Sequence, residues 1–374
     1  MGIHFNFLQT LYGNIPTNWT NSLYPGKGRC EPDMYERSIK SNTFLFRQQC
    51  TPLSYEGVRI RDVSRHTLFP VASYVELFYE NKIRMENDCE YVSSRGIMKR
   101  CKHYNPTIHS GNPELPDTFL DSIEPYDSVY VCTAALPLFV EKFLPILKKC
   151  IILVTGDSTI SIHRQRPNKP NRLGNAIWQP IIRSQYIKHW YAQNLTFLHK
   201  RVTHIPLGLD YHSNSWGTGN LRPVDQEGLM KSVIQSSEPF YTRQVKCYAS
   251  FHFTLKRGDR MEAFQKLKKE LVHYEPKPTS RLESHQAQTK FAFVISPFGK
   301  GYDCHRTWEA LMLGCIPIVR HSGLDPLFNG LPVLLINDWS DVTEELLNHT
   351  IQSFRMREFQ YDKLKLQYWV QKFR

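Results

Sequence analysis

The sequence predicts an α/β protein built as two halves, each a parallel sheet covered by helices, followed by terminal helices. Three observations predict it. Apolar runs of strand length alternate with amphipathic helical patterns, the alternation stops over a polar, turn-rich stretch at 213–239, and it then restarts. A chain of 374 residues with 41% apolar content has enough material for two such cores.

The first hundred residues are rich in Pro, Gly, Tyr and Arg and offer one helical pattern, SYVELFYENKIR at 73–84. From 127 the order sharpens. SVYVCT reads as a strand, LPLFVEKFLPILKK (136–149) as a helix with Pro137 in its first turn, and CIILVTG (150–156) as a buried strand. QPIIRSQYIKHWYAQ (179–193) reads as an amphipathic helix and RVTHIPLG (201–208) as a strand. After the turn-rich connection, KCYASFHF (246–253) is strand-like, GDRMEAFQKLKKEL (258–271) helical, and KFAFVIS (290–296) a buried strand. A helix at 304–313 and strands at 316–319 and 332–337 follow. Leu346, Phe354, Tyr361, Leu364 and Tyr368 then fall at helical intervals. The expected domains are 1–215 on the amino-terminal side, 240–345 on the carboxyl-terminal side, and terminal helices over 346–374.

Bulk composition narrows the partners without choosing among them. A formal net charge of +12 favours polyanions: nucleic acid, acidic glycans, anionic lipid or phosphorylated small molecules. The positive residues are spread along the chain and no RNA- or DNA-binding signature occurs, so nucleic acid is not the expected partner. The nine cysteines are scattered and form no CxxC pair, which argues against a zinc finger and suits a reducing compartment. MGIHFNFLQTLYGN has neither a basic n-region nor a sustained apolar core, so the chain reads as soluble, with no transmembrane segment.

The stretch ISPFGKGYDCHRTWEALMLGCIPIV (295–319) concentrates the chemistry. A strand delivers the chain to a loop whose Gly299 and Gly301 let backbone approach a ligand. Asp303 is placed to cap the following helix and Gly314 to stop it. Trp308, Leu311 and Met312 take the sheet-packing face, while Arg306 and Glu309, three apart, share another near the helix start. Backbone amides and the helix dipole there favour a phosphate, an arginine adds paired donors, and a carboxylate one turn deeper accepts from ribose hydroxyls. An ordinary surface ion pair between Arg306 and Glu309 is the competing reading, and the loop matches neither GxGxxG nor GxxxxGK[ST].

GYDCHRTWEALMLGCIPIV resembles the donor-binding motif of exostosin-like glycosyltransferases, in which an arginine and a glutamate precede an EA-hydrophobic-GC-(I/V)-P-(I/V) ending. It is more loosely similar to the nucleotide-sugar motif of other two-Rossmann (GT-B) transferases. The likeness extends to LKRGDR (255–260) and to ILVTGDS, IKHWYAQN and IPLGLDYH, covering about 150 to 350, and does not reach the first hundred residues. It implies two Rossmann-like domains facing a cleft, with the terminal helices packing back on the amino-terminal domain. The implied activity moves a sugar from a nucleotide-diphosphate donor, by family habit a UDP-sugar, to a glycan or glycoprotein acceptor. In that reading Arg306 holds the diphosphate and Glu309 the ribose, with Arg260 and Lys300 as further phosphate ligands. Gly299, Gly301 and Asp303 shape the donor loop. No D-x-D triplet occurs in the chain, which favours the metal-independent architecture, with no cofactor beyond the donor.

An inverting transferase needs a base for the acceptor hydroxyl. Asp157, just after CIILVTG, is the first candidate, Asp210 and His212 the second, and His163 the third. A helix cap or Asx-turn is the plain alternative for Asp157. In HWYAQN, His189, Tyr191 and Asn194 are weak acceptor-side candidates, against a packed helix end with Trp190 in the core. Cys304-His305 has no second ligand pair at metal spacing, so no metal site is expected. The rivals are a GDP-fucose-type transferase of the same architecture and a non-catalytic basic glycan- or nucleic-acid-binding protein. The expected setting is cytoplasmic or soluble in a virus-infected cell, or the Golgi lumen if an amino-terminal anchor lies outside this sequence.

Overall fold

The computed structural model describes residues 43–44, 69–70, 86–105, 113–163, 172–212 and 221–374. The chain divides into two units, 1–77 and 78–374. In the first, β1 (Thr43–Phe44) pairs antiparallel with β2 (Phe69–Pro70). The helical pattern expected at 73–84 lies outside the described residues.

The second unit opens with α1 (Ser94–Arg100), capped by the Ser93 hydroxyl, which accepts from the Gly96 amide. β3 (Ser128–Cys132) follows, buried along its whole length. The helix expected over 136–149 is instead an irregular run that ends at Ile146, passing from a short α turn into π geometry at Phe139–Phe143 and 3-10 geometry at Leu144–Ile146. Pro145 is the physical reason: it has no amide to donate back and its ring crowds the preceding turn. β4 (Ile151–Gly156) comes next, then a parallel pair, β5 (Ser161–Ile162) with β6 (Arg172–Leu173).

The segment expected as one helix over 179–193 is two elements, α2 (Asn175–Arg183) and β7 (Ile187–Ala192). β7 lies between β4 and β8 (Val202–His204), and this pairing overrides the helical spacing of its apolar residues. Trp190 is fully buried and its indole donates to Thr155 Oγ1 at 3.0 Å. The four strands stand in the order β3-β4-β7-β8, all parallel.

The stretch expected as a turn-rich connection contains a helix, α3 (Pro223–Gln235), with Pro223 in its first turn and Glu227, Met230 and Val233 buried. β9 (Gln244–Ala249), α4 (Arg260–Lys266), β10 (Val272–Tyr274), α5 (Arg281–Gln288), β11 (Phe291–Ile295), α6 (His305–Met312), β12 (Ile316–Arg320) and β13 (Leu334–Ile336) complete the second sheet and its cover. The order is β10-β9-β11-β12-β13, again parallel. Successive strands are laid down on opposite sides of β9, so the order reverses between β9 and β11. Ligands of open α/β sheets bind at the carboxyl ends of strands at such a switch point.

α6 itself ends in a Schellman motif. Gly314 adopts φ +69°, its amide bonds to the Leu311 carbonyl, and the Cys315 amide bonds to the Ala310 carbonyl at 2.8 Å. The terminal region is α7 (Glu344–Arg355) and α8 (Leu366–Val370). The chain end returns to the amino-terminal half, where Val92 N–H bonds to Leu364 O and Leu366 N–H to Glu90 O, each at 2.8 Å. One apolar cluster joins both halves, mixing Tyr130, Val154 and Leu209 with Trp308, Leu311, Phe328 and Trp369. Among the described residues, no helix is long and apolar enough to cross a membrane.

Candidate functional site

A cavity of about 310 Å³ lies where β9 and β11 end, lined by Ser250, the 299–306 loop and α5, with Thr159, Leu207 and Asp210 from the amino-terminal half. Its floor is fixed by local hydrogen bonds. Ser296 and Thr307 share a bond of 2.8 Å, tying the end of β11 to α6. The Asp259 carboxylate accepts the Phe298 amide at 2.7 Å and the Trp339 indole at 3.0 Å, so the start of α4 holds the loop. Gly258, at φ +56°, passes so close that an added Cβ would lie 2.3 Å from the Phe298 carbonyl oxygen.

One wall is cationic. Arg257, Arg260, Lys300 and Arg306 all line the cavity, and none of them is ion-paired with a described carboxylate. Arg260 is buried; one guanidinium nitrogen donates to Thr254 Oγ1, while Nε has no partner. Arg306 Nη1 is likewise buried without a partner. Burial, and then the charge of Arg306, pushes the Arg260 guanidinium down to about 10. Burial also lowers Arg306, against the pull of Cys304 and Glu309. Both stay charged near neutrality, so the wall is held with a standing electrostatic cost that a bound anion would relieve. It sits at the amino end of α6, whose dipole has the same sign.

The facing wall is paired. Arg281, at the start of α5, donates to Glu309 Oε1 and to the Asp210 backbone carbonyl, and its Nη1 also reaches Gln226 Oε1 at 3.2 Å. Glu309 Oε2 has the His285 imidazole at 3.9 Å. Burial alone would raise the Glu309 carboxyl, but Arg281 and His285 outweigh it and hold the group well below the ordinary glutamate range. Glu309 therefore pairs with Arg281, not with Arg306 as the helix spacing invites. Arg281, His285 and Gln288 went unread in the sequence because the lining face of α5 is polar and leaves no apolar stripe. Ser280 and Glu283 form a capping box, the one local signal available for that helix.

Other site candidates separate by position. Asp303 does not cap α6; the cap position is Cys304, and no side chain fills it. Its buried carboxylate instead accepts the Leu207 amide at 2.7 Å and the Trp308 indole at 2.8 Å, and burial pushes it up to about 6. Asn194 supports the same loop from the amino-terminal half: its Oδ1 accepts the Asp303 amide at 2.7 Å, and Gly301 packs against it. His189 and Tyr191 stand on β7 and do not line the cavity. His189 bonds to Thr203 Oγ1 at 2.8 Å, and the Tyr191 hydroxyl donates to the Lys372 carbonyl at 2.5 Å. Gly299 and Lys300 stand at the rim.

Of the candidate bases, Asp157 is buried, takes φ +50° and approaches Arg95 at 3.5 Å; it does not line the cavity. His163 is also buried and does not line it. Asp210 does, and its Oδ1 stands 3.3 Å from His212 Nδ1. Burial pushes the His212 imidazole down to about 3, keeping it neutral. A scan against known protein families finds no match to this chain, and a search of curated proteins finds none either.

Proposed function

We propose that the protein is a glycosyltransferase of the exostosin-like, GT-B type, taking its sugar from a nucleoside-diphosphate donor held by the carboxyl-terminal half. The observation that carries this reading is the cationic wall at the switch point of the second sheet, whose four side chains have no ion-pair partner among the described residues. Arg306 and Arg260 grip the diphosphate, with Lys300 and Arg257 closing over it from the rim. They stabilise the negative charge that grows on the leaving group, the task a divalent cation performs at a D-x-D site. Glu309 is held ionised by Arg281 and takes the ribose hydroxyls through Oε2. The acceptor enters from the side of Thr159 and Asp210. Asp210, which lines the cavity, is a better candidate than Asp157 to receive the acceptor proton of an inverting reaction.

Calorimetric titration of metal-stripped protein with UDP, GDP, CMP and ADP tests the reading and chooses between a UDP-sugar and a GDP-fucose donor. One nucleoside diphosphate binds to wild type, and folded Arg306→Ala and Glu309→Gln variants lose it. If no nucleotide binds, or if both variants bind like wild type, the proposal fails and a non-catalytic anion-binding role takes its place.

A further inference from the structure

Cys304-His305 carries no metal signature in sequence, because its partners are almost a hundred residues away. The fold brings them in. Asp210 and His212 follow β8 two residues apart, and Asp210 Oδ1 accepts the His212 backbone amide at 3.1 Å, which holds the two residues together. His305 begins α6 opposite them. One ligand atom from each of Asp210, His212 and His305 lies within 4.8 Å of the others. The two imidazole rings meet edge to face at 5.7 Å.

We propose that Asp210, His212 and His305 form a binding site for a divalent transition-metal ion of the zinc class. Three features of the geometry carry this. First, His305 Nδ1 stands 2.7 Å from the Gly208 carbonyl oxygen. A carbonyl only accepts, so Nδ1 carries the proton and Nε2 keeps its lone pair, the arrangement that backbone carbonyls impose on metal-ligating histidines. Second, Asp210 Oδ1 and His212 Nδ1 are 3.3 Å apart. That is long for an N–H···O bond, but it matches the edge of a tetrahedron whose bonds are about 2.0–2.1 Å. Third, two imidazoles and one carboxylate make a three-ligand set that leaves a position open, and Asp210 and His305 both line the cavity, so the open position faces it.

The surrounding charges permit an ion. Arg281 is neutralised by Glu309, and Arg95 faces Asp157. Nitrogen ligands select zinc, cobalt or nickel over magnesium or calcium. A water or hydroxyl on the open position would be acidified beside the cleft, and with the ion bound it, not the ligating Asp210 carboxylate, would take an acceptor proton. The proposal does not rest on the nucleotide reading.

The test uses the full chain, stripped of metal with a chelator and re-equilibrated with zinc by dialysis, then with cobalt for its visible absorption. Wild type takes up one zinc, and cobalt gives the intense bands of a tetrahedral site without thiolate charge transfer. The near-isosteric Asp210→Asn variant and His305→Gln weaken binding ten- to a hundredfold, whereas His349→Ala, on the exposed face of α7, leaves it unchanged. Melting curves show that each variant is folded. The proposal is overturned if wild type binds no zinc at 100-fold excess, if Asp210→Asn and His305→Gln both bind like wild type, or if the cobalt spectrum is that of thiolate ligation. Nucleotide titration of the metal-free protein separates this outcome from the fate of the donor site.

Discussion

The two parallel sheets use the same kinds of strand and reach opposite results at their carboxyl edges. In the first, β3-β4-β7-β8 runs in one direction with no reversal, and its edge residues are spent on the protein itself: Asp157 faces Arg95, Gln193 accepts the Asp157 amide, and Asn194 holds Asp303. In the second the order reverses at β9 and β11, and the edge keeps Arg260 and Arg306 with guanidinium nitrogens that have no partner among the described residues. Strand order, more than strand composition, separates an edge that supports from an edge that offers itself to a ligand.

The contrast has measurable consequences, and the largest falls on the paired wall. Glu309→Ala leaves Arg281 buried with no carboxylate, and urea unfolding should register a loss of about 3–5 kcal/mol. Arg306→Ala should behave in the opposite way. Nucleotide affinity falls roughly 10- to 100-fold, the worth of one charge-assisted interaction, while the melting temperature holds or rises because an uncompensated charge has gone. A clear drop in melting temperature for Arg306→Ala would break the comparison.

Acid sharpens it. The folded Glu309 carboxyl lies below the ordinary 4.5 of a glutamate, so its contribution is complete above that value and lost as pH falls beneath it. Denaturation midpoints followed from pH 7 to pH 3 should fall less steeply in Glu309→Gln than in wild type. Gly258→Ala forces a Cβ into a left-handed position against the Phe298 carbonyl; about 1–3 kcal/mol of stability should go, with weaker nucleotide binding as the loop shifts. At the supporting edge, Tyr191→Phe removes one hydrogen bond to Lys372 and should cost about 0.5–1.5 kcal/mol, with nucleotide affinity unchanged.

The parts of this architecture legible in sequence are those whose causes are local. The strand–loop–helix–strand unit of β11, α6 and β12 reads correctly because Gly314, the buried face of Trp308, Leu311 and Met312, and the apolar strands all act within 25 residues. Where partners are distant, reading fails. IKHWYA has a helical spacing of apolar residues and becomes a strand because β4 and β8 stand on either side. Asp303 has the composition and place of a helix cap, yet its carboxylate goes to Leu207, 96 positions away. His305 gains its meaning from Gly208, Asp210 and His212, none of which its neighbours in sequence announce.

The pairing of residues 90–92 with 364–366 bears on how the protein is made. Val92, Ile97 and Met98 share an apolar cluster with Leu366, Trp369 and Phe373, so the entrance to the first sheet is finished by residues translated long after it. A nascent chain emerging from the ribosome holds that apolar surface uncovered until residues 364–373 have been made. Its amino-terminal half must wait, exposed to chaperones and proteases, for that distant segment.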